Sequence, residues 1–166
     1  MTVMSTDPKQ WNVGLVGYGE VGRILAEDLR KQDVRVTAYD LKLDSDQATA
    51  LRDHASAHGV ALAASHADLA VQSDFIVSAV TASQDVAVAQ ACAPAVKQGA
   101  WFLDFNSASP GAKRRAAALI DGKGGRYVEG AVMTSIPPKR IKVPLLLGGS
   151  GADALEIGRA SCRERV

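Results

Sequence analysis

The chain has 166 residues, of which 47% are hydrophobic and 22% are charged, and its formal net charge is +1. This length suits one globular domain with a real core and is too short for two large domains. The balanced charge gives no argument for a nucleic-acid partner, and no apolar run reaches the roughly 18 residues that a membrane span needs.

The ends of the chain and its cysteines set the broad class. Residues 1–10 are polar and lack the apolar segment of a secretory signal, so we expect an N-terminal tail on a cytoplasmic protein. Cys92 and Cys162 do not form a C-x-x-C pair, so they predict neither a metal site nor a disulfide framework.

Short apolar runs alternate along the chain with segments of helical periodicity. In chain order we predict a strand at 11–17, a helix at 20–31, a strand at 34–40, a helix at 45–59, a short strand at 60–63, a short helix at 67–73, a strand at 74–80, a helix at 83–99 with a kink at Pro94, a strand at 100–106, a helix at 109–125, and strands at 126–133 and 143–149. Ser109 and Pro110 suit the N-cap and the first position of the last helix. Such alternation predicts an α/β fold of the Rossmann type, with a doubly wound, mostly parallel sheet and helices on both faces.

The final segment, "EIGRASCRERV" at 156–166, breaks this pattern because an Ala-rich chain turns abruptly Arg-rich. We expect these residues to be a non-native or truncated tail, and a genuine basic helix is the alternative. The folded domain is therefore predicted to span 11–155.

Three glycines form a G-x-G-x-x-G motif between the first strand and the first helix. In such a turn the first glycine allows a tight bend, the second lets the backbone approach a pyrophosphate, and the third lets the helix pack close to the strand. The helix N-terminus offers free N–H groups and a partial positive charge to the phosphates. We therefore predict a dinucleotide-binding loop in which Glu20 acts through its backbone rather than its side chain. The loop residues are Gly17, Tyr18, Gly19, Glu20, Val21 and Gly22.

An acidic residue, Asp40, ends the second strand and lies 18 residues after Gly22. A carboxylate there accepts hydrogen bonds from the adenosine ribose and repels a 2′-phosphate, which favours NAD over NADP as the cofactor. Lys42 would soften that repulsion. The alternative is a glycine turn without a ligand, in which Asp40 caps a helix.

Two other groups of residues have weaker patterns. His54 and His58 share one helix face, but no glutamate lies between them and no third ligand is obvious, so we predict a solvated face and no metal. The basic run at 113–115 lies in the first turns of a helix and predicts a wet surface, with contact to an acidic substrate or phosphate as the alternative.

Three further stretches, "DFIVSAVTAS" at 74–83, "FLDFNSASPGAKRR" at 102–115 and "RYVEGAVMTSIPPKRIKVPLLLGG" at 126–149, carry a family resemblance together with the glycine loop. Over residues 11–155 the chain resembles the β-hydroxyacid dehydrogenase superfamily, the group of 6-phosphogluconate and 3-hydroxyisobutyrate dehydrogenases. These stretches are most similar to a branch of the superfamily whose members carry a phosphogluconate-dehydrogenase-like C-terminal domain of unknown function.

The resemblance implies a Rossmann domain that binds NAD or NADP and a helical C-terminal domain that forms a homodimer and supplies a catalytic lysine. The implied reaction moves hydride between C4 of the nicotinamide and a small hydroxy acid. By the same resemblance, Val80 and Thr81 lie beside the nicotinamide ribose, and Asn106 and Ser107 bind that ribose and the substrate carboxylate. Both side chains can donate to a carboxylate, and capping of the next helix is their alternative role.

The chain also departs from its better-known relatives. Where they have a Ser-Gly-Gly segment that touches substrate, residues 132–135 are Val-Met-Thr-Ser, so we expect Thr134 or Ser135 to make that contact. This change argues against ordinary 3-hydroxyisobutyrate or 6-phosphogluconate as the substrate.

No lysine in residues 1–155 matches the catalytic position, which in relatives lies on the helical domain. We therefore expect no catalytic residue in this chain, cofactor binding without turnover, and an apolar patch near 143–147 where that domain would pack. The alternatives are a stand-alone dinucleotide-binding regulatory module and the cofactor domain of an imine-type reductase.

Overall fold

The computed structural model describes residues 7–155. The predicted tail at 156–166 and the first six residues lie outside the described part. The strands are β1 (Asn12–Val16), β2 (Arg35–Tyr39), β3 (Ala61–Leu62), β4 (Phe75–Ser78), β5 (Trp101–Asp104), β6 (Arg126–Val132) and β7 (Leu145–Gly148). The helices are α1 (Glu20–Arg30), α2 (Ala48–His58), α3 (His66–Gln72), α4 (Asp85–Cys92), α5 (Pro110–Asp121) and α6 (Ile136–Lys139).

The strands form one sheet in the order β3-β2-β1-β4-β5-β6-β7. Neighbouring strands from β3 to β6 pair in parallel, and β7 runs antiparallel to β6. This confirms the predicted Rossmann-type α/β fold. The order reverses between β1 and β4, which opens a crevice at the carboxyl ends of these two strands. In residues 7–155 no helix combines the length and the apolar character that crossing a bilayer requires.

Helices lie against both faces of the sheet. A Cβ added at Gly14 would lie 2.3 Å from Ser73 Oγ and 2.7 Å from Leu69 Cδ2, so α3 packs directly on β1 from one side. Val13 points the other way because side chains alternate along a strand, and it lines a groove shared with Leu25 of α1. The first helix therefore covers the opposite face.

The ends of several elements differ from the sequence predictions. The helix predicted at 83–99 ends at Cys92 and continues only as a 3₁₀ turn, Ala93–Ala95, because Pro94 lacks the N–H that an α-helix needs. The helix predicted from Ser45 begins at Ala48, since a separate 3₁₀ turn, Leu41–Asp44, follows β2. The predicted cap of α5 is confirmed, and Ser109 Oγ accepts the Ala112 N–H at 3.3 Å.

An apolar groove of about 470 Å³ runs along the α1 face of the sheet, beside β4 and β5. Phe75, Trp101 and Leu103 point into it from the sheet, and Leu147 borders it. This groove overlaps the patch expected near 143–147, although Val143 itself is buried. The side chains that line this groove are apolar throughout.

Candidate functional site

Two of the three loop glycines are required by the fold. Gly17 has φ +91°, and a Cβ there would lie 2.2 Å from the carbonyl oxygen of Ala79 at the end of β4. A Cβ at Gly22 would lie 2.1 Å from the carbonyl oxygen of Gly17. Any side chain at either position would push β1, β4 and α1 apart, so both glycines keep these three backbones in contact.

Gly19 is different from the other two. Its φ is −78°, which any residue adopts, and a Cβ built there would meet no atom within 4 Å. The fold therefore makes no demand for glycine at this position. Gly19 is also the N-cap of α1 and gives that helix no side-chain cap, so bare backbone N–H groups begin the helix beside open space.

Asp40 ties the glycine loop to the end of β2. Its Oδ2 accepts the Tyr18 N–H at 2.7 Å, and its Oδ1 accepts the Lys42 N–H at 2.9 Å. The carboxylate thus caps a 3₁₀ turn, which is the alternative role considered from the sequence. It still lines the cleft, and each of its oxygens has a second lone pair for another donor.

The loop borders a cleft of about 370 Å³ at the carboxyl ends of β1, β2 and β4. Five of the residues predicted to bind cofactor line it: Gly17, Gly19, Asp40, Val80 and Thr81. Other lining residues that the sequence analysis missed as cofactor contacts include Leu41, His66 and Gln84. Each of these follows the end of a strand, so the rule that ligands bind at the carboxyl ends of parallel strands would have found them.

Tyr18, Ser107 and Thr134 do not line this cleft. The Tyr18 side chain is fully buried, and its hydroxyl lies 2.7 Å from His54 Nδ1. Ser107 and Thr134 are exposed on loops that follow β5 and β6. Their predicted contacts with substrate stay predictions.

Asn106 is buried, and its amide is already hydrogen-bonded inside the protein. Its Oδ1 accepts the Val80 N–H at 2.7 Å, and its Nδ2 donates to Ser78 Oγ at 3.0 Å and to Asp85 Oδ1 at 2.9 Å. Both N–H donors of the amide are therefore in use. In this arrangement Asn106 positions the segment Val80–Thr81 at the rim of the cleft, and its own contact with ribose or substrate stays a prediction.

A buried group of charged side chains lies beneath Asn106. Asp85 and Asp104 are 1% and 0% exposed, and Lys113 Nζ lies 2.9 Å from Asp104 Oδ1. The Tyr127 hydroxyl donates to Asp104 Oδ2 at 2.5 Å. This group links the ends of β5, α4, α5 and β6 under the cleft.

The burial of Lys113 corrects the predicted wet surface at 113–115. Lys113, Ala116 and Ile120 are spaced i, i+3 and i+7, so they form the face of α5 that packs inward. Arg114 and Arg115 are exposed, as expected. The prediction was wrong for Lys113 because a basic run says nothing about which of its members faces the sheet.

The predicted solvated face at His54 is also wrong. Its side chain is 15% exposed, with Nδ1 beside the Tyr18 hydroxyl and Nε2 3.0 Å from Glu27 Oε1. The partner Glu27 lies on α1, which packs against α2. Spacing within α2 alone could not reveal a partner on another helix.

Comparison with known proteins gives consistent matches. Residues 12–153 match the family model of the NAD binding domain of 6-phosphogluconate dehydrogenase. The mitochondrial 3-hydroxyisobutyrate dehydrogenase of Drosophila melanogaster is 26% identical over 153 residues, which cover 90% of this chain and 45% of that protein.

Solved structures show the same pattern. A conserved hypothetical protein from Sinorhizobium meliloti 1021 superposes with a TM-score of 0.83 at 32% identity, over 93% of this chain and 52% of that one. The 3-hydroxyisobutyrate dehydrogenase of Mycobacterium tuberculosis, solved with L-serine, gives a TM-score of 0.77 at 19% identity, over 90% and 50% of the two chains. The chain thus spans about half the length of each of these proteins.

Replacing Lys113 with methionine tests the buried ion pair. The change keeps most of the side-chain volume but leaves Asp104 without its cationic partner, so the free energy of unfolding should fall by about 3–5 kcal/mol. Urea unfolding followed by circular dichroism measures this. Arg114→Met, one residue along the same helix and exposed, should cost no more than about 0.5 kcal/mol. Equal costs for the two variants would contradict a stabilising role for the pair.

Asp85 gives a prediction for pH dependence. Burial, helped by the neighbouring Asp104 carboxyl, raises the pKa of Asp85 from 3.8 to about 6. The native state then keeps this proton at pH values where the unfolded chain has released it. The stabilisation is complete below pH 3.8, and it is lost as the pH rises through about 6.

As the pH rises between these two values, the free energy of unfolding of wild type should therefore fall relative to that of Asp85→Asn. Urea titrations at several pH values measure it. Asp53→Asn on the exposed side of α2 is the control and should show no such change. A wild-type profile parallel to that of Asp85→Asn would rule out the raised pKa.

Proposed function

Because the chain belongs to the family of NAD binding domains of 6-phosphogluconate dehydrogenase, we propose that it is the dinucleotide-binding part of an oxidoreductase acting on a small hydroxy acid. The matched relatives are about twice as long as this chain. We propose that their remaining half corresponds to a helical domain that supplies the catalytic lysine and a homodimer interface. Hydride transfer needs such an acid or base within hydrogen-bond reach of the substrate oxygen.

The observation that carries the proposal is the open space at Gly19. Glycine loses more conformational entropy on folding than any other residue. A glycine that the fold does not require, such as Gly19, therefore needs another explanation. A diphosphate against the bare backbone of Gly19 and the first N–H groups of α1 would supply that reason. The cleft beside it has room for the adenosine half of a dinucleotide, with Asp40 at its edge.

The other residues of the cleft have distinct proposed roles. Asp40 accepts a ribose hydroxyl through the lone pairs that Tyr18 and Lys42 leave free. Val80 and Thr81 lie beside the nicotinamide-side ribose, in a position that Asn106 holds through the Val80 N–H. These residues would hold the cofactor at the carboxyl edge of the sheet, and the cofactor would supply the hydride chemistry.

The contact between Thr134 and substrate stays part of this proposal, as does that of Ser107. A stand-alone regulatory module and the cofactor domain of an imine-type reductase also stay open as predictions. Both would use the same glycine loop, so cofactor binding alone does not distinguish them from the proposed function. Turnover of a panel of hydroxy acids and imines by a protein that includes the second domain would do so.

Gly19→Val is the sharpest test of the cofactor loop. The added Cβ meets no atom within 4 Å, so the domain should stay folded, with the free energy of unfolding lowered by about 1 kcal/mol because valine is a poorer N-cap than glycine. The valine side chain occupies the space proposed for the diphosphate, so the affinity for NADH should fall at least about tenfold. That loss is equivalent to one hydrogen bond to a charged group. Isothermal titration calorimetry on the 166-residue chain measures the affinity.

Gly111→Ala is a control, because its Cβ also has room, 3.6 Å from Arg115 Nη1, and Gly111 does not line the cleft. It should leave NADH binding unchanged. If Gly19→Val binds NADH as wild type does, the pyrophosphate does not lie on this loop.

Asp40 predicts the choice between the two nicotinamide cofactors. Wild type should bind NADH more tightly than NADPH, because the carboxylate repels a 2′-phosphate. Asp40→Asn should bring the ratio of NADH affinity to NADPH affinity close to one. Lys42→Ala should increase this ratio, because it weakens the binding of NADPH. If Asp40→Asn also loosens the glycine loop, both cofactors lose affinity alike, because both bind that loop. The ratio of the two affinities therefore still reports on the 2′-phosphate. Tighter binding of NADPH by wild type would contradict the role given to Asp40.

A further inference from the structure

Helices α1 and α2 bring three potential metal ligands together beside the Tyr18 hydroxyl. His54 and His58 lie one turn apart, with ring centroids 4.4 Å from each other. Glu27 reaches them from α1, and its Oε1 lies 3.0 Å from His54 Nε2. One ligand atom from each of the three side chains lies within 4.8 Å of the other two. Small rotations about the side-chain bonds would place all three around one ion.

The donor set matches a particular class of metal. Two imidazole nitrogens and one carboxylate oxygen suit a borderline divalent ion such as Zn²⁺, and they suit Ca²⁺ or Mg²⁺ poorly because those ions prefer oxygen. Three protein ligands leave the fourth tetrahedral position to water. Histidines at i and i+4 on one helix present their rings to the same side, as such a site requires.

Two neighbours hold the ligands in place. The Tyr18 hydroxyl lies 2.7 Å from His54 Nδ1, which orients the ring and leaves Nε2 toward Glu27. Arg140 Nη2 donates to Glu27 Oε2 at 2.7 Å, which leaves Oε1 toward the two histidines. Outer contacts of this kind fix ligand orientation in metal sites and contribute to affinity.

The charges around the three ligands come close to balance, since Arg30 Nε donates to the His58 carbonyl oxygen at 3.4 Å. Glu27 and Asp28 contribute two negative charges, and Arg140 balances one of them. Lys31 also approaches Asp28, at 3.5 Å, but its side chain is 67% exposed to solvent and its charge is well screened.

We propose that Glu27, His54 and His58 form a zinc site with one open coordination position. None of the three lines the cofactor cleft, so the site is separate from the proposed dinucleotide site and does not depend on it. Zinc would cross-link α1 to α2. It would also fix the ring that touches Tyr18, a residue of the glycine loop.

The experiment is calorimetric titration of the tag-free 166-residue chain with ZnCl₂, in a Cys162→Ser background that removes a competing thiol. We expect one zinc ion per chain. His58→Ala and His54→Ala should each lower the affinity for zinc by about 100-fold or more. That loss exceeds the usual effect of removing a residue that only hydrogen-bonds a metal ligand. The control His66→Ala removes the third histidine of the chain, which lies at the cofactor cleft, and should leave zinc affinity within about twofold of the background protein.

Cobalt gives a second readout, because a tetrahedral Co²⁺ site absorbs in the visible and a hydrated ion barely does. The absorption should appear with one equivalent of CoCl₂, disappear on adding zinc, and be absent in His58→Ala. Within residues 7–155 the His58 side chain makes no hydrogen bond, so that variant should stay folded. Absence of zinc binding by the background protein, or binding that survives both histidine changes, would overturn the proposal.

Discussion

The close approach of three backbones at Gly17 is the constraint on which the whole cleft depends. With no Cβ, Gly17 turns the chain out of β1 against the Ala79 carbonyl, and Gly22 then packs α1 against the Gly17 carbonyl. This contact sets the depth at which the helix begins and where its free N–H groups point. The Asp40 carboxylate adds the third side by holding the Tyr18 N–H. The cleft is therefore a product of backbone packing, and its polar side chains are secondary to that packing.

A second level of organisation lies under the cleft, where buried charge supports its rim. Asn106 holds Val80, and Asp85 holds Asn106, so the rim is anchored to α4 and to the end of β5. The positive charge of Lys113 compensates for the burial of the Asp104 carboxylate. A buried ion pair contributes little net stability, but removing either partner leaves an uncompensated charge. The arrangement therefore ties the rim to one geometry rather than adding greatly to the stability of the domain.

Much of the fold could be predicted from the sequence because its signals are local. Apolar strands, the glycine spacing and the Ser109–Pro110 cap each lie within a few neighbouring residues, and the structure confirms the fold they predict. The errors at Lys113 and His54 arise because a partner comes from elsewhere in the chain, whereas the errors at helix ends have local causes such as Pro94. Lys113 is buried because of the face that α5 presents to β5, and His54 has its carboxylate on another helix. Among the predicted site residues, Gly17, Gly19 and Asp40 came from the glycine motif and line the cleft. Of those that came from the resemblance, Val80 and Thr81 line it, whereas Ser107 and Thr134 do not.

The spacing of the buried contacts along the chain has a consequence for the order of folding. Asp104 and Lys113 belong to consecutive elements, and Tyr127 follows Asp104 by 23 residues, so β5, α5 and β6 can associate by closing short loops. Gly17 meets Ala79 only after β4 has joined β1 across a much longer stretch of chain. We expect the β5–α5–β6 unit to be structured in the folding transition state and the glycine loop to take shape late. Nascent chains would then become competent for a ligand only once the central strands have paired.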